Sequence, residues 1–234
     1  MPRFDLIALD ADDTLWYNER LYQQTQSAFA ALLEGQGVSS DVVEERLYQT
    51  ESRNLALFGY GIKSFTLSMI ETAVELTDGK LAAQDVQAIL ALGKAQISAP
   101  LELLEHAQEA VAWLVQRYHV LVITKGDLLD QEAKLMRSGL ADLLQDLEVV
   151  TDKTSVSYAR LFKKLALDPQ RVMMVGDSLR SDILPVLQLG AHAVYVPHPT
   201  SWQHEAAALP APDTLRFYSL ENLGQLPALL ERLD

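Results

Sequence analysis

The apolar run Leu6-Ile7-Ala8-Leu9 stops abruptly at Asp10-Ala11-Asp12-Asp13, with Thr14 directly behind it. A short apolar run bounded by polar residues reads as a buried strand, above all one in a parallel sheet covered on both faces. Carboxylates at the carboxyl end of such a strand stand where open α/β sheets bind their ligands. Three acids within four residues repel one another, so burying them together calls for a cation, a shared proton or water. A divalent metal meets that need most simply.

Two textures follow. Residues 18–98 hold little that reads as a buried strand. Helical spacing runs over 18–34 through Leu21, Phe29, Leu32 and Leu33 and stops at Gly35 and Gly37. Ser39 or Ser40 caps a second helix with Val42, Val43, Leu47 and Leu55, ended by Gly59-Tyr60-Gly61. A third, over 64–76, carries Leu67, Ile70 and Val74 on one side. A fourth, over 82–97, carries Val86, Leu90 and Ala91, and Pro100 closes it. Four helices with short breaks predict a small antiparallel bundle.

From residue 101 helix and strand alternate: helices near 101–118, 128–137, 156–165 and 181–189, strands at 120–124, 147–150, 171–175 and 193–196. This alternation predicts a Rossmann-like α/β domain, a parallel sheet with helices on both faces. The opening strand matches that texture. The expected division is therefore an α/β core of residues 1–17 and 99–234, with a helical insertion over 18–98.

With 234 residues, 49% of them hydrophobic, the chain can bury a full core. Its formal charge of −13 argues against a nucleic-acid partner, since phosphate backbones are bound by basic surfaces. It leaves room for a small phosphorylated metabolite, because a local cation can invert the field of one pocket. The absence of cysteine excludes disulfides, thiol catalysis and cysteine-held zinc. No segment has signal-peptide order and no apolar stretch is long enough to span a bilayer, so a cytoplasmic protein without membrane partners, monomer or homodimer, is expected.

Each strand is followed by polar groups: Asp10 and Asp12 after the first, Thr124-Lys125-Gly126-Asp127 after the second, Asp152-Lys153 after the third, Gly176-Asp177-Ser178 and then Asp182 after the fourth. In a parallel sheet these ends share one edge, giving one site with carboxylates, a hydroxyl and lysine. Carboxylates, waters and a substrate phosphate are a familiar way to hold Mg²⁺.

This pattern resembles the haloacid dehalogenase superfamily of phosphohydrolases. Asp10-Ala11-Asp12-Asp13-Thr14 resembles its first motif, Thr124 the hydroxyl of the second, Lys153 the lysine of the third, and Gly176-Asp177 through Asp182 the acidic fourth. The insertion falls where the family's helical C1 caps lie. The resemblance implies Asp10 as nucleophile, forming an aspartyl-phosphate, and Asp12 as general acid and base, a role calling for a raised pKa. It implies Mg²⁺ held by Asp10, the Asp12 carbonyl and Asp177, with Thr124 and Lys153 on the transferring phosphoryl. Asp182 has two readings, an outer-sphere metal partner or a partner for Lys153.

Around these, Asp13 reads as a bystander at a position where the family often has glycine, and Asp127 as a helix N-cap. Lys125 reads either as a second phosphate contact or as a solvated lysine. Tyr60 and Lys63, in the break after the second helix, offer a stacking face and a cation for substrate. Residues 16–18 and 98–100 would form the hinges. The five histidines show no ligand spacing, and Tyr195, Trp202 and Phe217 read as packing residues. The expected activity is hydrolysis of a phosphomonoester. The alternatives are a haloacid dehalogenase, a phosphomutase, or a non-catalytic metabolite-binding protein. Family dehalogenases acting on haloacids lack the acid at the place of Asp12, which speaks against that alternative.

Overall fold

Strand β1 (Leu6–Leu9) is buried at every residue, as its unbroken apolar run requires of a strand with neighbours on both faces. The computed structural model describes residues 3–144, 146–200, 205, 207–211 and 213–234; His204 and Trp202 lie outside them. The other strands are β2 (Val120–Lys125), β3 (Leu147–Val150), β4 (Val172–Gly176), β5 (His192–Tyr195) and β6 (Phe217–Ser219). They form one sheet in the order β3-β2-β1-β4-β5-β6, and every neighbouring pair is parallel. The Rossmann-like expectation is met.

Period-two alternation sorts the strand residues into two cores. Ile7, Leu9, Val122, Met173 and Val175 pack beneath α5 (Ala107–Leu114) and α9 (Leu226–Leu233). Leu6, Ala8, Leu121, Ile123 and Met174 pack beneath α7 (Ser155–Lys164) and α8 (Leu184–Gln188). Helix α6 (Leu128–Arg137) follows β2.

The chain divides into two compact units, one of Met1–Glu19, Leu101–Lys125 and Gln131–Asp234, the other of Arg20–Pro100 with Gly126–Asp130. The second holds α1 (Glu19–Glu34) from its second residue, α2 (Ser40–Phe58), α3 (Ile62–Leu76) and α4 (Ala83–Ser98). Its core joins Phe29 and Leu33, Val43 and Leu47, Phe65 and Met69, and Ile89. Helices α3 and α4 approach closely at Gly93, where a Cβ would stand 2.3 Å from the Thr66 hydroxyl.

Several local expectations are corrected. The buried face of α3 is Ile62, Phe65, Met69 and Ala73, whereas Leu67 and Val74 are 45% and 41% exposed. On α4 Ile89 is buried and Leu90 is exposed. Both helices carry apolar residues on two sides, so apolarity alone did not select the inner one. The helix expected from residue 101 begins only at Ala107, because residues 102–104 run alongside the β1 loop: Tyr17 N–H donates to Glu102 O at 3.0 Å and Leu104 N–H to Leu15 O at 3.0 Å. The helix expected over 181–189 is a π-turn, Leu179–Ile183, running into α8. Pro185 has no N–H to continue an α-helical ladder back to Ser181.

Candidate active site

The end of β1 delivers Asp10 to the middle of the carboxyl edge, between β2 and β4. Its carboxylate receives the Lys153 ammonium on Oδ1 in a very short contact, and the Thr14 hydroxyl on Oδ2 at 3.1 Å. Thr14 in turn accepts from the Asp177 N–H at 3.1 Å, so one hydroxyl bridges the first and fourth strand ends.

Lys153 reaches the site from the turn between β3 and α7. Thr154 caps α7 through a reciprocal box with Ser157, which fixes the residue just after the lysine. Lys153 is buried and also donates to Asp182 Oδ1 at 2.7 Å. The second oxygen of Asp182 accepts the Ser178 N–H at 3.1 Å. The glycine after β4's apolar run has a steric reason: a Cβ on Gly176 would lie 2.2 Å from that oxygen. The π-turn presses Asp182 back onto its own strand end, a use of π-geometry often found at functional sites.

Carboxylate oxygens of Asp10, Asp177 and Asp182 all lie within 4.8 Å of one another. Two of them, Asp10 and Asp182, are buried and share one lysine, while Asp177 is half-buried beside them. Burial raises the Asp10 carboxyl to about 7, against the pull of Lys153. Burial and then repulsion from Asp10 and Asp182 push Asp177 well above the carboxylate range. Asp182 is also raised by burial, with Lys153 opposing. Lys153, though desolvated, is held well above its ordinary value by Asp10 and Asp182. The hard oxygen donors and the surplus of negative charge fit a divalent cation of the Mg²⁺ kind.

The two remaining acids of the β1 loop separate. Asp12 accepts from Trp16 Nε1 at 2.7 Å, Gln131 Nε2 at 2.9 Å and Lys134 Nζ at 3.0 Å. Asp13 is a bystander in neither burial nor bonding: it is buried, at φ 59°, and takes the N–H groups of Asn18 at 2.9 Å and Glu19 at 2.9 Å. It thus satisfies donors at the first turn of α1, work that glycine could not do. Burial raises its carboxyl to about 6, opposed by the Asn18 N–H.

Thr124 is buried at the end of β2, its hydroxyl donating to the Lys125 carbonyl at 3.2 Å. Lys125 is not a solvated lysine. It donates to Ser181 Oγ at 2.9 Å and pairs closely with Glu205. Tyr60 and Lys63 belong to the helical unit, where Lys63 pairs with Asp127 at 2.9 Å. Asp127 also accepts from the Asp130 N–H at 3.3 Å, in keeping with an N-cap. The structure therefore brings Asp10, Lys153, Asp177 and Asp182 together, and leaves Tyr60 and Lys63 with the other unit.

Sequence reasoning passed over Thr14, Ser178, Ser181, Gln131, Lys134 and Glu205. Thr14 and the two serines lie inside the quoted motifs and were open to assignment. Gln131 and Lys134 share a helix face at a spacing of three, a weak signal, and nothing around Glu205 marks it.

The family model described as haloacid dehalogenase-like hydrolase matches residues 4–190. No curated protein matches the sequence. Among solved structures, a haloacid dehalogenase-like family hydrolase from Xanthomonas campestris is 39% identical, with a TM-score of 0.88 over 99% of this chain and 92% of that one. A 2-haloacid dehalogenase from Pseudomonas syringae pv. Tomato is 21% identical (TM-score 0.66; 99% and 100% covered). A predicted phosphoglycolate phosphatase from Haemophilus somnus is 16% identical (TM-score 0.64; 98% and 99% covered). At that distance the last two show the fold alone.

Proposed function

The chain belongs to the haloacid dehalogenase-like hydrolases, and from that premise we propose that it is a Mg²⁺-dependent phosphomonoesterase acting on a small phosphorylated metabolite. The observation that carries this reading is the cluster of three carboxylates, two of them buried and paired with one lysine, with a further acid two residues past the nucleophile. A halide departs without a proton, so a dehalogenase has no use for Asp12. An ester oxygen departs as a strong base and needs one.

In this reading an Asp10 oxygen bonds to phosphorus as the ester P–O bond breaks, and Asp12 gives its proton to the leaving oxygen. Asp12 then takes a proton from water as that water attacks the aspartyl-phosphate, releasing phosphate and restoring Asp10. Asp12 exchanges its Lys134 contact for the leaving group during this cycle. Lys153 offsets the charge of Asp10 and the phosphoryl oxygens, and Thr124 donates a hydrogen bond to them. Asp10, Asp177 and the Asp12 carbonyl would hold Mg²⁺, which would add positive charge beside the phosphoryl group. Asp182, with both oxygens engaged, serves Lys153. The helical unit is assigned the cap role, with Tyr60 and Lys63 on the substrate, from its place in the sequence.

Hydrolysis of p-nitrophenyl phosphate, with Mg²⁺ and with EDTA, tests the reading. Turnover is expected only with metal, and Asp10→Asn is expected to lower it by at least about 10³-fold. Equal turnover in wild type and Asp10→Asn would sink the mechanism.

A further inference from the structure

Glu205 lies far along the chain from every motif, yet it touches side chains from two strand ends. Its carboxylate accepts from Lys125 Nζ, which directly follows Thr124, and from Ser178 Oγ, both in very short contacts. It also accepts from Ser181 Oγ at 2.5 Å. Ser178 and Ser181 flank the turn between Asp177 and Asp182, and Ser178 Oγ itself accepts the Ser181 N–H at 3.0 Å. The side chains of Glu205 and Lys125 are each only 14% exposed. Burial opposes the charge on Glu205, but Lys125 and the two serines hold its carboxyl below the ordinary value, so it stands as an anion.

An isolated surface ion pair would stabilise the fold by little. This one is mostly buried, and Lys125, Ser178 and Ser181 each belong to a strand end or turn that carries a site residue. From Glu205 the bonds run to Ser178, through the Ser178 N–H to Asp182, and from Asp182 to Lys153 and Asp10. Groups that orient ligating carboxylates in this way commonly govern metal affinity and activity.

We propose that Glu205 is a positioning residue: by tying Lys125 to Ser178 and Ser181, it holds the 177–182 turn so that Asp177 faces the metal and Asp182 faces Lys153. It touches neither phosphoryl group nor metal and acts through the two serines. As a role in catalysis this rests on the phosphatase reading; as a restraint on the turn it stands without it.

The test uses the full chain with Glu205→Ala, Glu205→Gln, Lys125→Met and the Glu205→Ala/Lys125→Met double variant. Three measurements are compared: Mg²⁺ binding by titration calorimetry, amide hydrogen exchange over 177–183, and p-nitrophenyl phosphate kinetics. Glu205→Ala is expected to weaken Mg²⁺ binding and lower kcat by about 10- to 100-fold each. KM should stay unchanged, and the Asp182 and Ile183 amides should lose protection. Glu205→Gln, which can still accept from both serines, should recover most of the loss. The double variant should be no worse than Glu205→Ala, because the two residues act as one unit. Wild-type exchange over 177–183 in Glu205→Ala would overturn the proposal, whatever the turnover. So would additive losses in the double variant. A wild type without phosphatase activity would remove the enzymatic reading but leave the exchange arm decisive. Should Glu205→Ala fail to fold, Lys125→Met carries the comparison with Glu205→Gln as its near-wild-type control, and unaltered exchange over 177–183 in Lys125→Met would refute it.

Discussion

The two units bury polar groups for different ends. Along α1–α4 the buried polar side chains among the described residues are all neutral: Thr25, Thr50, Asn54, Ser64, Ser68 and Thr72. Charges there stay outside, as where Arg53 meets Glu71 at 3.4 Å and Glu75 at 2.9 Å. At the carboxyl edge of the sheet, by contrast, Asp10, Lys153 and Asp182 are buried as ions or near-ions in mutual contact. Replacing a buried ion pair by apolar side chains is often neutral or stabilising, so a protein selected for stability alone has little reason to keep one. The helical unit shows what this chain does when only packing is at stake. The sheet edge departs from it, and that departure is what marks a site.

The contrast breaks most directly at Lys153. Lys153→Met is expected to lower unfolding free energy by about 3–5 kcal/mol in urea titrations, because it leaves the buried Asp10 and Asp182 without their ammonium. A loss under about 1 kcal/mol would mean the edge is no more demanding than the bundle. The contrast sharpens within the α/β unit at His192, which opens β5 at the opposite edge of the sheet. It is buried between Phe4, with ring centroids 4.9 Å apart, and Tyr218 at 6.0 Å. Burial, helped by Arg3 and Arg216, lowers its pKa from 6.5 to about 4. Between those values the unfolded chain binds a proton that the folded one does not. His192 thus contributes its full stability above about pH 6.5 and loses it as pH falls toward 4. Between pH 7 and 5 that is a loss of about 2 kcal/mol. Urea midpoints of wild type and His192→Gln should diverge at pH 7 and converge at pH 5; parallel curves would refute a neutral buried imidazole.

The smallest effects belong to the helices. Asn54 donates to Ser68 Oγ at 3.1 Å and Glu71 at 2.8 Å, and Asn54→Ala should cost about 1–2 kcal/mol. Arg53→Ala, with its exposed pairs, should cost about 0.5 kcal/mol or less. If the two substitutions cost the same in thermal melts, the bundle's neutral interior is not what holds it.

What the sequence disclosed follows the same division. Strands β1, β2 and β4 were legible because their apolar runs are continuous and end in acids or Thr-Lys. Asp10, Lys153, Asp177 and Asp182 were legible because a parallel sheet must gather its strand ends. Strand β6 was missed, since three partly exposed residues, Phe217 to Ser219, make no periodic signal. The inner faces of α3 and α4 were misread because Leu67, Val74 and Leu90 compete with Phe65, Met69 and Ile89 for the core. Asp13, Lys134 and Glu205 were illegible for another reason. Their partners are set by three-dimensional approach, and no local pattern records that Asp12 will meet residues 131 and 134.

The central place of β1 also sets an order of events during folding. Ile7 pairs with Val120 and Leu6 with Val172, so the first strand of the chain waits on partners more than a hundred residues away. Such long-range pairing is slow, since loop closure must precede its reward. The stretch from Arg20 to Pro100, by contrast, draws its core from near neighbours. During synthesis the bundle can therefore form while Leu6–Leu9 is still unpaired. An apolar strand left open in that interval is a docking edge for chaperones or for other nascent chains. The acids that follow it keep that edge charged at one end until β4 arrives to use them.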